Sequence, residues 1–173
     1  MALALVAQAS EFGDGFTLFA LVILPVVLFI GVTTLIRLSA SNYHDAMCVV
    51  GMNRIRAAYL EIAPDLERYF VMSAHDDIRG VGITMAARVD GDKIPLVYMF
   101  AAAPMLVSVL NSVIAGVITA IAVLRMGAAT SPALVTGAVG FFVAIALHLW
   151  YARSNIANAR AGYRPLFPSP DAE

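Results

Sequence analysis

The sequence predicts an all-α integral membrane protein with three transmembrane helices and a short helical segment between the first two. Of its 173 residues, 61% are hydrophobic and 13% charged, where a soluble domain has about half and about a quarter. The mean hydropathy is +0.83. The apolar residues are also gathered into three runs, each long enough at ~1.5 Å per residue to cross a hydrocarbon core of ~30 Å. At this length one domain is expected, a single membrane domain over 1–173.

The first run, residues 16–38, is apolar apart from threonines until Arg37. Pro25 lies mid-span, where it removes a backbone hydrogen bond and is expected to bend the helix. The second run, residues 95–124, carries no charge and is longer than a straight span requires. Its first turns are expected at the interface, with a kink near Pro104. The third, residues 133–151, ends on Trp150 and Tyr151, as the aromatic belt of a span does. The amino-terminal Ala7-Gln8-Ala9 has the spacing of a signal-peptide cleavage site. Its preceding apolar run is short and lacks a basic residue, so the first span is expected to serve as an uncleaved anchor.

Basic residues set the expected orientation. None precedes the first span, whereas Arg54, Arg56, Arg68, Arg79, Arg88 and Lys93 separate the first two, and Arg153, Arg160 and Arg164 follow the third. The positive-inside rule places the amino terminus outside a bacterial cytoplasmic membrane and the central segment and carboxy terminus in the cytoplasm.

In the central segment, residues 39–94, Cys48, Met52, Ile55, Tyr59 and Ile62 recur at steps of four and three and share one helical stripe. Packing on the rest of the segment or on the membrane surface is the expected use of this stripe, and a self-association seam is the alternative. The first helix is expected to continue through it as one long rod. Pro64 then stops or turns the chain, and Asp65 and Glu67 suit the first turn of a new short helix.

The run "MNRIRAAYLEIAPDLERYF", followed by "SAHDD" and Gly80, resembles a group of small membrane proteins of actinobacteria. They share one span, a cytoplasmic N-R-I-R…H-D-D segment and two further spans. The resemblance implies this layout and carries no activity. The abundance of alanine and arginine beside a single lysine fits a GC-rich genome.

The densest polar cluster is Ser73, His75, Asp76 and Asp77. Imidazole and carboxylates suit a transition metal, with His44 and Cys48 as further ligands, and His75 could also sense protons. Neighbouring side chains on a helix point about 100° apart, however, and cannot converge on one ion. The preferred reading is a helix start, Ser73 and Asp76 forming a capping box and Asp77 favouring the amino-terminal turn.

Inside the second span, Ser108, Ser112, Gly116 and Ala120 recur every fourth residue, with Asn111, Ala115 and Thr119 in a row beside them. In lipid such a face reads as a helix–helix contact, within the chain or with a copy of it. Asn111 is costly against acyl chains and is expected to face protein or, in a channel, a polar axis. Gly137, Gly140, Ala144 and His148 share a side of the third span. No acidic residue lies in any span, which argues against an ion-coupled transporter.

Several function classes find no support. There is no phosphate loop, nucleophile elbow or H-E-x-x-H pair. Asp90-Gly91-Asp92-Lys93 is a turn signal lacking the other ligands of a calcium loop. With one cysteine, neither an internal disulfide nor a multi-cysteine zinc site can form. A net charge of −1 without a basic stripe excludes an ordinary nucleic-acid binder. The tail, residues 161–173, is proline-rich and expected to be extended and mobile. The sequence thus predicts a protein without catalytic residues or cofactor, whose partners are the bilayer and itself or another membrane protein.

Overall fold

The computed structural model describes residues 14–85 and 103–170. The signal-like amino terminus, residues 95–102 of the second apolar run and the turn at residues 90–93 lie outside the described residues. Among those described there are four α-helices and one 3-10 helix, and no strand. They are α1 (Asp14–Ile62), the 3-10 helix (Pro64–Tyr69), α2 (Ile78–Thr84), α3 (Ala103–Arg125) and α4 (Thr130–Ala161). The protein is all-α, and α1, α3 and α4 are each long and apolar enough to span a membrane.

Local chemistry accounts for the element ends. The helix α1 runs on through Pro25 and stops only before Pro64, whose fixed φ suits the first turn of the 3-10 helix. Asp65 and Glu67 occupy its first turn, at the end that favours negative charge. The expected short helix is therefore present, but wound as a 3-10 helix. Pro104 falls in the first turn of α3 as described. At the other end of α3, Gly127 adopts φ +87°, its N–H donates to Leu124 O at 3.0 Å, and Ala128 N–H donates to Val123 O at 3.3 Å. This is a Schellman closure, for which glycine has the least steric cost. Helix α4 outlasts its apolar run, because Ala-rich residues 152–161 continue the helix without being greasy.

The chain divides into two compact units. The first comprises residues 1–36 and 106–154, and the second residues 37–105 and 155–173. In the first unit the polar and small residues are inside: Ser108, Asn111, Ser112 and Gly116 of α3 are buried, as are Ala133 and Gly137 of α4. Large apolar side chains such as Phe29, Leu106, Leu134 and Phe142 face outward. Lipid is as apolar as these side chains, so close packing of small residues, rather than hydrophobic burial, holds such helices together. A Cβ on Gly116 would come within 2.8 Å of Gly137 O, and one on Gly137 within 2.9 Å of Ala120 Cβ. Gly140 abuts Thr119, and Gly31 of α1 abuts the Asn111 side chain.

Candidate functional site

The second unit is organised around Asp76 and Asp77. Helix α1 presents to it Val50, Asn53, Arg54 and Ala57, at steps of three, one and three along one face. Asn53, fully buried, donates from Nδ2 to His75 O at 2.7 Å. Its Oδ1 accepts from Arg56 Nη1 at 2.7 Å and from Thr84 Oγ1 at 2.9 Å. Arg56 Nη1 also donates to Ser73 O at 3.3 Å. One amide thus ties the long helix, the 73–77 segment and the end of α2 together.

Asp76 is fully buried and receives the carboxy-terminal tail. Its Oδ2 accepts from Arg54 Nε at 2.8 Å and from the Leu166 N–H at 3.0 Å. Its Oδ1 accepts from the Phe167 N–H at 2.8 Å, while the Asp76 N–H donates to Phe167 O at 3.1 Å. The Tyr163 hydroxyl lies 2.7 Å from Asp76 O and 2.9 Å from Oδ2, and supplies its one proton there. Arg54 also lies over the Tyr163 ring, 5.7 Å from its centroid. Asp77 caps α2, its Oδ1 accepting from the Gly80 N–H at 2.7 Å and from Ser169 Oγ at 3.0 Å. Its Oδ2 accepts from the Ser169 N–H at 2.9 Å.

Burial alone would raise the Asp76 carboxyl, but the Leu166 N–H, Arg54, the Phe167 N–H and Tyr163 outweigh it and hold the pKa down to about 2. Asp77 is lowered as well, burial being outweighed by the Gly80 and Ser169 donors. The Tyr163 hydroxyl is raised by burial and by the adjacent carboxylate. Both carboxylates are therefore ionised and spent on donors of this chain.

The expected roles shift accordingly. The cap of α2 is Asp77, not the Ser73–Asp76 box, and Ser73 Oγ instead accepts from the His75 N–H at 3.0 Å. Asp76 is a receptor for the tail, and the tail up to Ser169 is anchored rather than free. Among the described residues no three His, Cys, Asp or Glu side chains assemble as a metal-binding set. His44 Nε2 lies 3.7 Å from Cys48 Sγ on an exposed face, apart from any third ligand. The predicted stripe does not pack on its own unit: Cys48, Met52, Ile55, Tyr59 and Ile62 are all exposed, and the opposite face is the buried one.

In the first unit the sequence-predicted residues do come together. Ser112 Oγ donates to Ser108 O at 2.7 Å, and lies 3.5 Å from His148 Nδ1. Thr119 Oγ1 lies 2.8 Å from Gly116 O and 3.0 Å from Ala115 O. Asn111 is 2% exposed, packed on Gly31, and its Nδ2 has no hydrogen-bond partner among the described residues. The small-residue face of α3 is thus filled by α1 and α4 of the same chain.

Asn53, Arg54, Tyr163 and Ser169 are the site residues that sequence reasoning missed. Their one local signal was the pair of adjacent carboxylates upstream of a tail broken by Pro165, Pro168 and Pro170, whose remaining N–H groups cannot be satisfied by a helix. Comparison with family models, with curated proteins and with solved structures gives no match.

Proposed function

We propose that this is a non-enzymatic integral membrane protein that works by docking, with its second unit on the cytoplasmic side of a bacterial membrane. It self-associates or joins a larger membrane assembly, and the second unit supplies the contact. The observation that carries this reading is the contrast within that unit: its two buried carboxylates, Asp76 and Asp77, are saturated by its own donors, while an apolar helical stripe is left open. A catalytic carboxylate would need a free oxygen or a pKa nearer neutrality, and Asp76 has neither. Because α1 and α4 of the same chain pack on the α3 face, this reading puts the contact on the stripe instead of the second span, where the sequence pattern put it. The test is the native mass of the mildly solubilised complex. A constant multiple of the chain, or a constant stoichiometric partner, is the expected result; a bare monomer would refute the reading.

A second reading, a small homo-oligomeric channel with Asn111 at the axis, draws on Asn111 Nδ2, which has no hydrogen-bond partner among the described residues. A bilayer conductance abolished by Asn111→Leu would establish it, and a silent purified oligomer would eliminate it.

A further inference from the structure

We propose that the second unit carries a binding site for a phosphate group where the carboxy-terminal tail meets α1, and that its ligand is a soluble organic phosphate. An open cavity of about 540 Å³ lies there, with Met47, Val50, Gly51 and Arg54 of α1 on one side and Tyr163 and Arg164 of the tail on the other. The site is independent of the apolar stripe and of the docking reading.

Charge selects an anion. Two arginines line the cavity, and among the described residues no acidic one does. Arg54 holds Asp76 through Nε at 2.8 Å, but Asp76 is fully buried and offers the cavity no surface. The far edge of the same guanidinium is loosely held: Nη2 lies 3.5 Å from both the Tyr163 hydroxyl and Arg164 O, and the side chain is 35% exposed. That edge is the planar fork with which arginine meets an oxyanion. Arg164 is exposed and brings a second cation to the same space. Like charges on facing elements repel until an anion lies between them, and a phosphate monoester, at about −1.5 to −2 near pH 7, answers both.

Size and position narrow the source of that phosphate. The cavity falls within the ~300–1,000 Å³ of small-molecule sites. Met47 and Val50 give it an apolar wall that a bare oxyanion would leave uncovered. From Leu38, where the apolar run ends, to Val50, α1 rises about 18 Å. A headgroup layer is only about 5–8 Å deep on each face, so a lipid phosphate falls short. A ligand held by Arg54 on α1 and Arg164 on the tail also fastens the clasp at Asp76, which makes the clasp its reporter.

The experiment follows exchange of the Leu166 and Phe167 amides in the full-length protein, in nanodiscs of zwitterionic lipid. AMP titrated to about 10 mM is expected to slow it about tenfold, because a ligand of the closed form alone reduces opening by 1 + [L]/Kd. Adenosine, and sodium chloride at matched ionic strength, should leave it unchanged. Arg164→Gln removes the second cation, and Gly51→Leu fills the cavity at a position where a Cβ meets nothing within 4 Å. Each should cut the AMP effect below twofold, measured against its own protection without AMP. A full AMP response in both variants overturns the location, and no response of the wild type to AMP or to inorganic phosphate overturns the site. Inorganic phosphate acting at the same concentrations as AMP overturns the organic part of the ligand. Slowed exchange in phosphatidylglycerol nanodiscs without added phosphate assigns the site to a headgroup and overturns the soluble source.

Discussion

Replacing Asp76 by asparagine tests the tail clasp directly. The substitution keeps size and shape, leaves one oxygen for the Phe167 N–H and puts an NH2 where Oδ2 now accepts. Arg54 Nε, the Leu166 N–H and the Tyr163 hydroxyl then face a donor at a fully buried position. Bonds to a charged acceptor contribute about 1.5–3 kcal/mol each, and breaking a buried ion pair costs about 3–5 kcal/mol. The Arg54 side chain is 35% exposed and recovers some hydration, so the low end applies, about 3 kcal/mol. At about 1.4 kcal/mol per decade, the tail should open about a hundredfold more often. Hydrogen exchange of the Leu166 and Phe167 amides, read by mass spectrometry on protein in nanodiscs, measures that ratio. Protection within threefold of wild type would refute the clasp.

Acid should release the same contact. Asp76 is held at about 2 against an ordinary 3.8, so its ionised form contributes stability that is complete above the ordinary value. That stability, about 2 kcal/mol, is lost as pH falls from 4 towards 2. Tail protection should decline in that window and not at pH 5–6; loss at the higher pH would show that another group governs it. Gly80→Ala should weaken the start of α2, since a Cβ there would lie 2.6 Å from the His75 carbonyl carbon. About 1–3 kcal/mol of local stability is at stake. Gly51→Ala, where nothing lies within 4 Å, should instead stabilise by about 0.5–1 kcal/mol. If chemical denaturation ranks the two the other way, the close approach at Gly80 is wrong. Gly31→Ala should lower the thermal midpoint in detergent, because its Cβ would lie 2.8 Å from Asn111 Cγ. Adding Asn111→Ala should restore most of the loss, and a Gly31→Ala chain as stable as wild type would remove Asn111 from that contact.

The spans were legible in the sequence because an apolar run of sufficient length has few alternatives. The stop at Pro64 and the helix start at Asp77 were legible because both are set by neighbours a few residues away. The small-residue face of α3 was legible as a contact, though a periodic pattern cannot say whether the partner helix belongs to the same chain; Gly31, Gly137 and Gly140 answer that. The stripe on α1 was legible as a stripe, but its burial was not. A helix turns its apolar side to its own core only when that core is hydrophobic, and here the competing face carries Asn53 and Arg54, whose buried bonds fix the packing. The clasp was illegible because its partners, Asp76 with Leu166 and Phe167, and Asp77 with Ser169, are 90 to 92 positions apart. No local spacing encodes a contact of that separation.

That separation also governs when the second unit can exist. Asp76 is translated 91 positions before Phe167, with the second and third apolar helices made in between. Closing so long a loop is entropically cheap once the chain is confined, since the cost grows only with the logarithm of length. It cannot occur, however, until those helices and the tail have been made. Asp76 can meet Arg54, and Asp77 the Gly80 N–H, as soon as these are made, but their tail donors arrive only after both later helices. Completion of the second unit becomes a late event of biogenesis, and a chain whose tail does not reach it is left with Asp76 and Asp77 lacking their tail donors.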